Sequence, residues 1–232
     1  MKLRKLGQDG PAVSPVGIGA MSFTNFYGPT SEAASVAILD AALEAGVTLI
    51  DTANVYGAGS SETLIGQYLK ANPAAKQAFK ICTKAGITRK PDGTGNFFDN
   101  SAKHLESELD KSLGRLGIEA VDLFYIHRRD QSIPVEEVAH TLAGFVKAGK
   151  VKAIGFSEIA PSTLRRAHAV HPVAAVQSEY SLSARAPELG LTQACAELGT
   201  SLVAFSPVGR SLLTDEPLSF EAAQQTQFLV NN

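Results

Sequence analysis

The stretch Gly46-Val47-Thr48-Leu49-Ile50-Asp51-Thr52-Ala53-Asn54-Val55-Tyr56-Gly57 decides the fold. It opens on a glycine of the kind that ends a helix, runs through an apolar strand at 48–51, and turns polar at Asp51. The same grammar recurs on both sides of it. Short runs rich in Val, Ile and Phe predict strands at 16–19, 48–51, 79–84, 121–127, 151–157, 174–177 and 201–205. Between them, apolar residues at three- and four-residue spacing predict helices at 31–45, 62–70, 99–116, 135–148, 161–170 and 187–198. Thr30 or Ser31 ahead of Glu32 supplies an N-cap, and Pro161 and Pro187 sit near first-turn positions. Gly46, Gly117, Gly149 and Gly199 fall where helices should end. Ahead of the repeat, residues 3–6 and 12–16 flank Gln8-Asp9-Gly10-Pro11 and predict a β-hairpin closed by the Asp-Gly turn.

Strands that alternate with helices imply a parallel sheet, because each return crossover needs a dozen or more residues. An open doubly wound sheet and a closed barrel then compete. The doubly wound dinucleotide fold carries Gly-x-Gly-x-x-Gly after its first strand. Here that strand gives Gly17-Ile18-Gly19-Ala20-Met21, and Gly57-Ala58-Gly59-Ser60-Ser61-Glu62 lacks a third glycine and reads as a loop leading into a helix. The reading favoured is α/β, a (β/α)8 TIM barrel with an N-terminal β-hairpin, formed by one domain over residues 1–232.

Composition narrows the functional classes. A net charge of −2 gives no clustered basic excess for a nucleic-acid surface, and 44% hydrophobic residues exceed what disordered chains carry. Cys82 and Cys195 lack zinc-type spacing, so no metal site is expected and both read as buried, reduced thiols. Without a signal-type apolar segment or a ~20-residue apolar span, a soluble cytoplasmic protein is expected, with no membrane partner. His104, His140, His168 and His171 fall in or beside helices and read as structural, and Arg165-Arg166 as a solvated face. Phe97 and Phe98 could pack the barrel rim or wall a pocket.

In a barrel, catalytic groups sit at the C-terminal ends of the strands. Those ends are polar: Asp51-Thr52-Ala53-Asn54-Val55-Tyr56, Thr83-Lys84, His127-Arg128-Arg129-Asp130, Ser157-Glu158, Gln177-Ser178-Glu179-Tyr180 and Phe205-Ser206. A tyrosine phenol, with an ordinary pKa of about 10, is a poor acid at neutral pH. A Lys84 ammonium beside it would favour the phenolate, Asp51 would hold Lys84 charged, and neutral His127 could orient the same oxygen. Such a set can protonate a carbonyl oxygen, with Tyr56 as the acid.

These motifs, 46–57, Thr83-Lys84, Ile126-His127-Arg128 and Gly155-Phe156-Ser157-Glu158, resemble in order and spacing those of the aldo-keto reductase family. Gln177-Ser178-Glu179-Tyr180-Ser181-Leu182 and Ala204-Phe205-Ser206-Pro207-Val208-Gly209-Arg210 extend the resemblance over nearly the whole chain. It implies a catalytic tetrad of Asp51, Tyr56, Lys84 and His127, and reduction of an aldehyde or ketone by hydride from NADPH. It implies further that Ser157 and Gln177 bind the nicotinamide carboxamide and that Phe205 stacks on the ring. Ser206, Pro207, Val208, Gly209 and Arg210 would line the pyrophosphate, and Met21 would wall the nicotinamide side. Two positions depart from the common pattern: Glu158 stands where many members have Asn, and Phe205 where Tyr is frequent.

Seven strands and a final helical segment at 220–230 leave the eighth βα unit of the barrel unaccounted for, and the resemblance implies that the loop after that strand is what grips a 2′-phosphate. The expectation is a fragment or part of a longer protein, with NADP(H) assigned through the resemblance and cofactor affinity weakened in this chain. A regulatory nucleotide-binding barrel like the potassium-channel β subunits is the alternative function, and Schiff-base chemistry at Lys84 a third.

Overall fold

The computed structural model describes residues 1–89, 95–217 and 219–224. Eleven strands and eight α-helices are found among them. A hairpin, β1 (Arg4–Lys5) and β2 (Ala12–Val13), is followed by β3 (Gly17–Gly19), α1 (Glu32–Glu44), β4 (Leu49–Asp51), α2 (Ser60–Ala71), α3 (Pro73–Ala78) and β5 (Lys80–Ala85). A second small hairpin, β6 (Ile87–Arg89) and β7 (Asn96–Phe98), leads to α4 (Ala102–Leu116), β8 (Leu123–Ile126), α5 (Val135–Lys147) and β9 (Ile154–Ser157). The chain continues through α6 (Pro161–Val170), β10 (Val173–Glu179), α7 (Leu191–Leu198), β11 (Ser201–Phe205) and α8 (Phe220–Gln224). The remainder of the helix expected at 220–230 lies outside the described residues.

Seven strands form one all-parallel sheet in the order β11-β10-β9-β8-β5-β4-β3. This sheet is curled. β10 and β4 stand four places apart, which in a flat sheet is about 19 Å at a strand spacing of ~4.8 Å. Yet Gln177 on β10 donates to Asp51 on β4 at 3.0 Å across the inside of the arc. Among the described residues β3 and β11 each pair on one side only, so the chain builds seven strands of a (β/α)8 barrel.

The period-two alternation of a strand sorts side chains between two cores. Ile50, Ile81, Phe124, Ile126, Ile154, Phe156 and Val176 face outward, where α1, α2, α4, α5, α6 and α7 cover them. Leu49, Cys82, Leu123, Tyr125 and Ala175 face inward and meet Leu6 and Val13 of the N-terminal hairpin, which floors the barrel. That floor is also tied to the arc near both of its ends. The Gly7 amide donates to Ser201 Oγ of β11 at 2.8 Å, while the Ser14 and Thr48 amides each donate to the other's hydroxyl at 2.8 and 2.9 Å.

The hairpin is present but its turn differs from the expected Asp-Gly closure. Arg4 pairs with Val13 and Lys5 with Ala12, so six residues connect the strands. Leu6 turns inward as a core residue, and Gly7, not Gly10, takes the left-handed conformation. The four helix-ending glycines are all left-handed as expected, with φ of 71° at Gly46, 65° at Gly117, 75° at Gly149 and 65° at Gly199. Ser31, of the two cap candidates, accepts the Ala34 amide at 3.1 Å. The expected helix 187–198 is broken: a 3-10 turn, Ala186–Leu189, precedes α7, because Gly190 at φ 118° interrupts them.

Candidate active site

The alternation that makes the inner core apolar at the floor makes it polar at the mouth. Two residues beyond Leu49, Cys82, Tyr125 and Ala175 on the same inward face come Asp51, Lys84, His127 and Gln177. The four residues expected from the strand ends are brought together. Lys84, fully buried, donates from Nζ to Asp51 Oδ1, to the Thr52 carbonyl at 2.9 Å and to Tyr56 Oη at 3.3 Å, which uses all three of its protons. The Tyr56 ring lies edge-on to the His127 imidazole, with centroids 5.7 Å apart and planes at 81°. The other Asp51 oxygen takes the Gln177 amide.

Tyr56 is not on a strand. It opens a turn, Tyr56–Gly59, in which Gly57, Ala58 and Gly59 are all left-handed, with φ of 57°, 52° and 93°. Left-handed backbone costs a residue with a Cβ on the order of 1–3 kcal/mol, so Ala58 stores strain at the turn that presents the phenol. Further left-handed residues cluster at the same mouth: Glu158 after β9, then Ser206, Arg210 and Ser211 after β11.

Electrostatics define the charge states. Burial alone would discharge Lys84, but the Asp51 carboxylate, Tyr56 and the hydrogen bonds to both outweigh it and hold its pKa above the ordinary lysine value. Burial, then the Lys84 ammonium, then the Arg128 guanidinium push the His127 imidazole well below its usual range, so it is neutral at pH 7. Its Nδ1 is enclosed with no partner among the described residues, which leaves Nε2 as the nitrogen open to the cleft. Of the two neutral tautomers, the one with its proton on Nε2 avoids enclosing an unpaired N–H.

Asp51, Tyr56 and His127 open onto a cleft of about 2340 Å³, with Lys84 buried behind them. That exceeds the ~300–1,000 Å³ of an ordinary ligand pocket because it continues down the gap between β3 and β11, past Leu49 and Val203 to Leu6. Met21, Ser157, Gln177, Phe205, Ser206, Pro207 and Arg210 line it, as do Asp51, Tyr56 and His127. Val208 and Gly209, expected among the lining residues, do not: the Gly209 amide bonds back to the Ser206 carbonyl at 2.9 Å and closes a turn that carries both away. Phe97 and Phe98 pair with Thr88 and Ile87, are 37% and 44% exposed, and belong neither to the core clusters nor to the cleft lining.

Arg128 belongs to the strand-end motif Ile126-His127-Arg128, in which nothing local marks a role for it. Its Nη1 donates to the His127 carbonyl at 2.7 Å and to Ser157 Oγ at 3.0 Å, so it bridges the ends of β8 and β9. Glu158, the position that departs from the common pattern, accepts the Glu179 amide at 2.7 Å, and Glu179 in turn pairs with Arg210 at 3.3 Å.

A curled parallel sheet with an acid, an ammonium, a phenol and an imidazole at its C-terminal mouth is the architecture of a (β/α)8-type barrel with a polar site at its rim. The aldo/keto reductase family model matches residues 15–229, and the chain belongs to that family. It is 40% identical over 214 residues to an aldo-keto reductase of Schizosaccharomyces pombe named for NADP(+), covering 91% of this chain and 62% of that protein. A probable aldo-keto reductase of Glycine max is 43% identical over 209 residues, with 89% and 59% covered. The chain therefore spans about three fifths of the length of these curated relatives. Among solved structures, an aldo-keto reductase from Bacillus halodurans, in a holo form, superposes with a TM-score of 0.84 at 29% identity, over 95% of this chain and 71% of that one.

Proposed function

We propose that this chain carries the chemical half of an NADPH-dependent carbonyl reductase and works as one domain. The observation that carries the reading is the fully buried Lys84 bonded at once to Asp51 and Tyr56, at the mouth that His127 shares. A nicotinamide cofactor, when bound, supplies the hydride. Tyr56 donates its phenolic proton to the carbonyl oxygen, and Lys84 stabilises the phenolate left behind. Asp51 keeps Lys84 charged, so the charge is fixed before a substrate arrives and needs no reorganisation. Neutral His127, donating from Nε2, orients the same oxygen.

The residues present fit such a cofactor. The Ser157 hydroxyl accepts from Arg128 and so keeps its own proton for a carboxamide oxygen, while Gln177 has its carbonyl oxygen left to accept. Phe205 offers a ring face, and Ser206 and Arg210 offer donors along the same wall of the cleft. Preference for NADP(H) is supported by the name of the fission-yeast relative.

The test is oxidation of NADPH at 340 nm with a panel of small aldehydes and ketones. Tyr56→Phe, which removes one hydroxyl, should lower kcat by about 10²–10⁴-fold, the usual weight of general acid catalysis, with cofactor binding retained. Equal turnover by the parent and Tyr56→Phe would refute the assignment of the acid.

A further inference from the structure

On the face of the sheet opposite the tetrad lies a second polar cluster that the proposed chemistry does not use. Glu62, in the first turn of α2, has a side chain with no solvent exposure. One carboxylate oxygen accepts the Thr83 hydroxyl at 2.5 Å and the other accepts Arg115 Nε–H, from α4, at 2.7 Å. Beside it, Ser61 shares a hydrogen bond of 2.9 Å with the Thr52 hydroxyl and donates to the Ala20 carbonyl. Thr83 and Thr52 are the outward neighbours of Lys84 and Asp51. The Arg115 side chain also packs beneath the Tyr56 turn, where a Cβ built on Gly59 would stand 2.7 Å from its Cδ and 2.8 Å from its Nε.

We propose that Glu62 and Arg115 form a positioning pair that fixes the separation between Tyr56 and Lys84; the proposal rests on the reading of Tyr56 as the acid. Glu62 touches both sides of that separation. It follows the Tyr56 turn by three residues, at the start of the helix that the turn enters, and it holds β5 one residue before Lys84. Arg115, fixed by Glu62, supports the left-handed Gly59 from below. The contact so controlled is sensitive, because 3.3 Å already lies at the long end of a useful hydrogen bond. An alternative is that the pair only glues α2 to α4. Apolar residues of similar volume glue helices as well or better, because they escape the cost of burying charge. What an apolar pair cannot do is bond Thr83 and support Gly59 at a set height.

The discriminating experiment compares Glu62→Gln, Arg115→Met and the doubly apolar Glu62→Leu/Arg115→Met with the parent. It reads melting temperature, NADPH affinity by fluorescence, kcat and KM for one aldehyde, and the Tyr56 signal in protein labelled with ¹³Cζ-tyrosine, assigned through Tyr56→Phe. The single variants should lose about 10–100-fold in kcat, the scale of a misplacement near 1 Å, with KM and NADPH affinity within about twofold, as expected when only the chemical step is impaired. The doubly apolar variant should regain the parent's melting temperature while kcat stays low and the Tyr56 signal stays displaced. Return of kcat together with melting temperature would overturn the proposal and leave the pair a structural staple. If the parent reduces no carbonyl compound, the reductase reading fails and the Tyr56 signal alone decides: displacement in Glu62→Gln sustains the coupling, and an unmoved signal overturns it.

Discussion

Cutting the Lys84–Asp51 pair from its two sides should have unequal consequences. The Lys84 side chain is 0% exposed and that of Asp51 is 16% exposed. In Lys84→Met the residual charge is a carboxylate at the cleft that keeps the Gln177 amide as a donor. In Asp51→Asn the residual charge is a buried ammonium. Removing one partner of a buried pair costs about 3–5 kcal/mol, and Asp51→Asn should fall in that range, with Lys84→Met nearer 2 kcal/mol and the double variant below the sum of the two. The pH dependence separates them further. In the parent, the Lys84 pKa is raised, so its contribution is complete below the unfolded value of about 10.4 and is lost only as pH rises through the higher folded value. In Asp51→Asn, desolvation, which is the largest influence on Lys84, loses its main opponent, and the folded pKa should drop below the unfolded one. The unfolded state then binds more protons, so this variant gains stability as pH rises, by up to about 1.4 kcal/mol per pH unit, and its deficit shrinks between pH 7 and pH 9. Urea unfolding followed by circular dichroism at both pH values measures this. A deficit unchanged at pH 9, or a Lys84→Met cost equal to that of Asp51→Asn, would refute the reasoning.

Gly155→Ala should cost about 1–3 kcal/mol, since the added methyl would stand 2.5 Å from Cδ1 of the fully buried Tyr125. Gly144→Ala, in α5 with no described residue within 4 Å of the added Cβ, should instead stabilise by about 0.5–1 kcal/mol in the same denaturant assay. The depressed pKa of His127 means that the unfolded chain takes up a proton near pH 6.5 that the folded one refuses, so stability should fall as pH drops below about 6.5. That slope should be shallower in His127→Gln, measured by unfolding between pH 7 and pH 5. Ser201→Ala removes the acceptor of the Gly7 amide and should cost about 0.5–1.5 kcal/mol, with faster hydrogen exchange at that amide.

The strands were legible because each is short, apolar and followed by a polar end, and strand parity alone places Asp51, Lys84, His127, Ser157, Gln177 and Phe205 on one face. Other features depend on contacts distant in sequence. Pro73–Ala78 is six residues long, too short for periodicity to mark it as a helix, and it forms because Ala75 buries against the core. The six-residue turn of the hairpin follows from the burial of Leu6 in the barrel floor, which a local Asp-Gly signal does not encode. Val208 and Gly209 share a contiguous motif with Ser206, Pro207 and Arg210, but contiguity says nothing of the turn that takes them out of the cleft. In the sequence Glu62 marks only the start of a helix, because its partner Arg115 lies 53 positions away.

The two faces of the sheet explain why the site is polar on both sides of its strands. Near the floor, the outward residues Ile50, Ile81 and Phe124 pack against helices, and the inward residues Leu49, Cys82 and Leu123 pack against the hairpin. One or two positions further along the same strands, Thr52 and Thr83 face outward onto Ser61 and Glu62, while Asp51 and Lys84 face inward. A fully buried carboxylate and three buried hydroxyls in a helix–sheet interface are a poor choice if cohesion is the sole demand, since apolar side chains of the same volume carry no desolvation cost. Their value lies in direction: hydrogen bonds fix angles and distances that hydrophobic contact leaves free to slide. The floor of the barrel is therefore where this chain gains stability. The rim is where it gives some of that stability up, so that a phenol on a strained turn and an ammonium on a strand are held at a defined separation.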